Sequence, residues 1–188
     1  MKRIFLALSL AAFREPLKIV IGEARRAVPL VKWADPEQVH VTLHFFGPTP
    51  EANLGEINRL ARGVANFCAP MRLGLAGVGY FPTPVHPQIA WLGLSGQTEL
   101  LEECQRKLER AFANAGFPCG ERAFHAHATI GRLKNPPRPV LNLPDSLRHF
   151  EVSPVPIDRA VLYESFLSSQ GPRYEILKEY FFQNHPAA

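Results

Sequence analysis

Cysteine is scarce in this chain and unpatterned. The three cysteines, Cys68, Cys104 and Cys119, are odd in number and include no CxxC pair, so neither a disulfide framework nor a zinc ribbon is expected. Such usage suits a reducing cytoplasm. Long apolar runs are missing as well, and none approaches the ~20 residues of a membrane-spanning helix. The stretch that comes nearest to a leader, Ile4 to Phe13 behind Met1-Lys2-Arg3, stops at Arg14-Glu15-Pro16. It falls short of the ~15 to 30 residues of a secretory signal and reads better as a buried first strand. Neither sign of charge dominates: a net charge of +4 and a pI near 9.1 suit a polyanionic ligand without requiring one. No internal repeat is visible beyond one pair of short motifs.

What the chain does have is enough apolar side chain, 46% of 188 residues, to fill one core, so a single domain over 1–188 is expected. Arg3 to Ala11 is apolar on both faces, as a central strand should be. Phe13 to Ala27, Pro50 to Phe67 and Thr98 to Ala115 place apolar residues at helical spacing, the last closed by Gly116. Strands are expected at Val39 to Phe46, stopped by Gly47-Pro48, at Leu73 to Val78 and Gln88 to Leu94, and at Arg159 to Leu167 and Tyr174 to Phe182. Trp33 to Glu37 reads as a turn, Gly79 to Pro87 as an aromatic, proline-rich loop, Asn135 to Pro144 as irregular, and Ser168 to Pro172 as a hairpin turn. The tail Asn184 to Ala188 is expected to fray. Strands and helices alternate first and hairpins accumulate later, which makes the class α+β with helices covering one side of each sheet.

The motifs are His40-Val41-Thr42-Leu43 and His127-Ala128-Thr129-Ile130, one in each half of the chain. Residues two apart on a strand share a face at about 6.6 to 6.8 Å, so each histidine projects with its threonine. A hydroxyl donates to a nonbridging phosphate oxygen while an imidazole, with its ordinary pKa of ~6.5, moves a proton near neutrality. Two such strands facing each other across a central groove, in lobes related by a pseudo-twofold axis, permit displacement at phosphorus with one histidine neutral and the other charged. Residue pattern alone does not say which is which. Arg132 lies five residues beyond His127, hence on the opposite face of a regular strand, and can clamp a phosphate only if the strand ends or bulges near Gly131. Metal binding is the sharper rival, because His125 and His127 form an H-x-H pair that His40 could complete. Against it, no Asp, Glu or Cys lies within either motif, and His40 and His44 stand about 13 Å apart on a strand. We therefore expect no metal and no cofactor. His44, His86, His149 and His185 read as structural or exposed.

Paired HxT[LI] strands resemble those of the two-histidine phosphoesterase superfamily. The flanks Arg3-Ile4-Phe5-Leu6-Ala7, Trp33 to Gly47, Phe124 to Lys134 and Gly171-Pro172-Arg173-Tyr174 narrow the resemblance to the RNA 2',3'-cyclic phosphodiesterases, also called 2'-5' RNA ligases (LigT-like). The resemblance implies metal-free hydrolysis of a terminal 2',3'-cyclic phosphate on RNA to a 2'-phosphomonoester. It also implies that His40 is the proton donor, His127 the proton acceptor, and Thr42 and Thr129 the phosphate-holding hydroxyls. Two departures, Ala126 where the family often has proline and Ser9 or Leu10 where it often has an acidic residue, touch loop detail and substrate preference rather than reacting groups. Phe5, Phe45 and Tyr80 are candidates to stack the terminal base. The expected partner is an RNA end or a 2',3'-cyclic nucleotide, met by a cytoplasmic monomer with no obligate protein partner and no membrane contact. The same residues could instead join RNA ends through a 2'-5' linkage or cleave another cyclic or 2'-5' phosphodiester. A noncatalytic RNA-binding module is the alternative from another class.

Overall fold

The computed structural model describes residues 1–84, 86–118, 123–133, 143–168 and 171–183. Most of the irregular segment expected over 135–144, the centre of the turn at 168–172 and the tail from 184 lie outside the described residues. The strand expected at the N-terminus is β1 (Lys2–Ser9), and it sits inside a four-stranded sheet between β3 (His40–Thr49) and β8 (Arg159–Leu167), with β9 (Pro172–Phe181) outermost. A second sheet runs in the order β2 (Lys32–Trp33), β6 (His127–Arg132), β5 (Pro87–Gly96), β4 (Met71–Pro82) and β7 (Glu151–Ile157). Every pairing is antiparallel. Setting aside the two-residue β2, each sheet begins with a motif strand, β3 in one and β6 in the other, and continues with three more. β3 and β6 pack against each other, so the two lobes meet along the motifs in a pseudo-twofold arrangement.

Helices cover the outer faces. The apolar stripes foreseen from spacing are the buried ones: Leu17, Val20, Ile21 and Ala24 on α1 (Arg14–Ala27), Ile57, Ala61 and Ala65 on α2 (Leu54–Ala65), and Leu101, Cys104, Leu108 and Phe112 on α3 (Thr98–Asn114). α2 lies against β9 and α3 against β3, side by side, while α1 meets the short α4 (Asp145–Arg148), which rests on β4. Tyr180 of β9 donates its hydroxyl hydrogen to Asn58 of α2, and Ser146 of α4 donates to Glu23 of α1. Ile4, Leu6 and Leu8 of β1, all fully buried, belong to the same core cluster as the buried stripes of α2 and α3.

Three expectations are corrected, and one strand, β7, had no counterpart among them. The stretch read as a loop over 79–87 is mostly strand, since β4 runs to Pro82 and β5 starts at Pro87; the prolines stand at the strand ends, where no ladder hydrogen bond is required of them. β3 does not stop at Gly47-Pro48 but reaches Thr49, because it is the edge of its sheet and an edge tolerates proline. β7 was hidden by Pro154 and Pro156, tolerated for the same reason on the far edge of the second sheet. Finally, Cys68, just past α2, and Cys104, on α3, form a disulfide with Cα atoms 5.6 Å apart. Helix packing brings them together across 36 residues, a proximity that spacing in sequence does not reveal. A disulfide is a feature of oxidising compartments more than of the reducing cytoplasm expected above.

Candidate active site

Bulges set which side chains reach the groove. On β3, Ala7 pairs with Thr42 but Leu6 pairs with His44, so Leu43 is an extra residue; a second shift makes Phe46 extra. Counted against β1, His40, Thr42 and Phe45 stand on one face with Ser9, Ala7 and Phe5, while Val41 and His44 turn to the core. The second motif repeats the device. Trp91 pairs with Thr129 and Ala90 with Gly131, leaving Ile130 extra, and Ile89 then pairs with Arg132. Because Gly93, Trp91 and Ile89 alternate on one face of β5, their partners His127, Thr129 and Arg132 share a face as well. The bulge falls one residue before the glycine that was expected to allow it. Arg132 accordingly comes close enough to act electrostatically on His40 and on Tyr174 of β9.

The two histidines are held in the same way. Nδ1–H of His40 donates to the Gln38 carbonyl at 2.8 Å, and Nδ1–H of His127 donates to the His125 carbonyl at 2.7 Å. A carbonyl can only accept, so in each neutral ring the proton sits on Nδ1 and Nε2 is left as the basic atom. Burial lowers the pKa of both below the ordinary 6.5; for His40 the charge of Arg132 adds to the effect, for His127 the neighbouring His125 does, and in each ring the backbone hydrogen bond opposes it. An empty groove therefore favours two neutral imidazoles. A phosphate anion bound between them raises both values and allows one to hold its proton.

Aromatic rings wall each histidine. His40 lies 4.7 Å from the Phe5 ring and 5.2 Å from Tyr174, with Tyr163 at 6.3 Å. The curl of the first sheet is what brings β9 across to this point. Tyr163 also hydrogen-bonds Ser9, the β1 partner of His40. On the other lobe, Phe81 stands edge-on to His127 at 5.2 Å and stacks on Trp91 at 5.3 Å. Of the three aromatics expected in the groove, Phe5 is at its floor and 3% exposed, Phe45 is on the groove face and 43% exposed, and Tyr80 is not in the groove at all. Tyr80 pairs with Ala90, on the face of β4 opposite Phe81, and its hydroxyl is buried without a partner; burial pushes its pKa up to about 12. Stacking by Tyr80 is thereby ruled out, because strand alternation turns it into the core and its neighbour Phe81 outward. Phe81, Trp91, Tyr163 and Tyr174 were not foreseen. The alternation of Tyr80 and Phe81 would have betrayed Phe81 had the stretch from Gly79 been read as strand, whereas Trp91, inside the strand expected at Gln88 to Leu94, follows only from its pairing with Thr129.

His44 is enclosed on the core side between Phe46 at 4.4 Å and Phe112 at 4.7 Å, with Glu109 3.4 Å from Nδ1. It is a structural histidine, as expected. Among the described residues, no three of His, Cys, Asp and Glu gather where they could share an ion. The groove instead offers two imidazoles, two threonines and an arginine, groups suited to an anion with transferable protons at its edges.

Known proteins are similar to this chain in sequence and fold. The 2'-5' RNA ligase superfamily profile matches residues 12–165. A Methanothermobacter thermautotrophicus protein named RNA 2',3'-cyclic phosphodiesterase is 31% identical over 175 residues, 92% of this chain and 94% of its own. An Aquifex aeolicus protein of the same name is 31% identical over 152 residues, 80% of this chain and 81% of its own. The crystal structure of a Thermus thermophilus protein, 26% identical, superposes with a TM-score of 0.79, covering 97% of this chain and 100% of that one. Both motif strands fall within the matched span and the two-sheet architecture is shared from end to end: the chain belongs to the 2'-5' RNA ligase superfamily.

Proposed function

We propose that this chain hydrolyses terminal 2',3'-cyclic phosphates of RNA to 2'-phosphomonoesters by metal-independent acid–base catalysis. The observation that carries the reading is the matched pair of imidazoles, one per lobe, each with Nδ1–H bound to a backbone carbonyl and a threonine beside it on the groove face. Relatives named for this activity, similar over most of the chain, support it. Nε2 of His127 takes a proton from water as the water oxygen attacks phosphorus. The bond from phosphorus to O3' breaks, and Nε2–H of His40 delivers its proton to that oxygen. Thr42 and Thr129 donate hydrogen bonds to the nonbridging oxygens, and Arg132 balances their charge. The bound anion offsets the Arg132 charge that otherwise disfavours protonated His40. Each lobe supplies half of the site, so the chain acts as one two-lobed domain over 1–188 and as a monomer. The cytoplasm, where RNA ends arise, is the compartment that goes with this activity, and the Cys68–Cys104 bond, which speaks against it, is buried with each cysteine 3% exposed.

The test is turnover of a 2',3'-cyclic nucleotide in the presence of a chelator, followed by the appearance of the 2'-monophosphate. His40→Ala and His127→Ala are each expected to lower kcat by ~10²- to 10⁴-fold, the usual loss when acid or base help is removed. Full activity in both variants, or loss of wild-type activity on chelation, overturns the reading.

A further inference from the structure

The strand face that carries the reacting groups continues along β3. Phe45 stands on the same face as Thr42, about one strand step, ~6.6 to 6.8 Å, further on. The Phe5 ring, directly opposite Phe45 in the ladder, packs against His40, so Phe45 itself lies outside the reacting centre. A ring that is 43% exposed beside a ligand groove is available for stacking. Arg3, two residues before Phe5 on β1 and hence on the same face, places its guanidinium 4.8 Å from the Phe45 centroid. It also acts electrostatically on the Tyr174 hydroxyl together with Arg132.

The charges here differ from those on the other face of the sheet. Lys2, next to Arg3 but turned away from the groove, is paired with Glu164 at 2.5 Å. Among the described residues, no carboxylate pairs with Arg3 or with Arg132, whereas most other ion pairs join neighbouring surface groups. An unpaired guanidinium stacked on an exposed aromatic ring, one step from a phosphate site, matches a nucleotide: a base for the ring and a phosphodiester for the cation.

We propose that Arg3 and Phe45 form a subsite for the nucleotide preceding the terminal one, Phe45 stacking that base in place of the terminal base expected from sequence and Arg3 binding the phosphodiester that links the two. The proposal rests on the cyclic-phosphodiesterase reading and adds that the enzyme takes an RNA chain in preference to a free cyclic nucleotide. A mononucleotide ends before this subsite, while any oligonucleotide enters it.

The experiment compares a 2',3'-cyclic mononucleotide with a short RNA ending in the same cyclic nucleotide, using wild type, Arg3→Ala, Phe45→Ala and Phe45→Trp. Expected is a rise in KM for the RNA of roughly five- to 150-fold in the two alanine variants, the range of a lost stacking contact, with the mononucleotide turned over as by wild type and Phe45→Trp close to wild type on both substrates. Equal losses on both substrates, or no loss on either, overturn it. Should wild type turn over neither substrate, the activity reading fails and the subsite is decided by binding. A fluorescently labelled RNA ending in a 2'-phosphate should then bind the alanine variants roughly five- to 150-fold more weakly than wild type. Unchanged affinity rejects the subsite.

Discussion

At the scale of the residue, the histidines were the legible part. A period of two on an apolar strand places His with Thr, and no tertiary information is needed to see it. Their pKa values were not legible, because these depend on what buries the rings and on Arg132 arriving from the other lobe. Both His40 and His127 carry folded-state values below the ordinary 6.5, whereas an unfolded chain titrates near that value. The unfolded state therefore takes up protons first as pH falls. The stability these two residues permit is complete above 6.5 and drains away as pH drops toward their lowered values. Urea unfolding is expected to show a lower midpoint at pH 5.5 than at pH 7.5, with a shallower fall in His40→Ala. Imidazole proton resonances should titrate below 6.5 in the free protein and move upward when a 2'-nucleotide is bound. A wild-type midpoint that rises on acidification contradicts the burial account.

At the scale of the element, the apolar stripes of α1, α2 and α3 and the strands β1, β3, β5, β6, β8 and β9 followed from periodicity, within a few residues at their ends. What did not follow depended on sheet position. β7 and the far end of β3 contain prolines that only an edge can hold, and whether a strand is an edge is decided by its neighbours. The bulges at Leu43 and Ile130 carry no compositional mark, yet they bring Phe45 and Arg132 into the groove. Gly131 is the exception, since its reason is steric: a Cβ there would stand 2.5 Å from Val31 Cγ1, 3.1 Å from the Trp33 ring and 3.3 Å from Ala90 Cβ. Gly131→Val should thus cost about 1–3 kcal/mol of stability through overpacking and push β6 away from β2 just where Arg132 leaves the bulge. Its kinetic signature on a cyclic nucleotide is expected to resemble that of Arg132→Ala, a raised KM, at a temperature where both are folded. Wild-type kinetics in a destabilised Gly131→Val would mean that Arg132 is aimed independently of this contact.

At the scale of the whole molecule, the first sheet separates two kinds of structure. Its concave face holds His40 and the aromatic wall. Its convex face holds α2 and α3, tied by Cys68–Cys104. Closing a loop of 36 residues removes unfolded-state freedom worth roughly 3–4 kcal/mol in the chain-entropy account. The tie is buried, with both cysteines 3% exposed, and it touches none of the groups assigned to chemistry. Reduction is therefore expected to lower the thermal midpoint substantially while leaving kcat and KM for a cyclic nucleotide unchanged below the transition. Thiol titration of the denatured protein supplies the independent check: of three cysteines, one should react before reduction and three after. Three reactive thiols without reductant would return the chain to the cysteine state first expected from its spacing, and the helix layer would then owe its stability to Ile57 and Ala61 of α2 and Leu108 and Phe112 of α3 packing on β9 and β3 alone. Loss of activity on reduction, at temperatures where the fold persists, would instead mean that the helix layer sets the curvature of the sheet and so the approach of Tyr174 to His40.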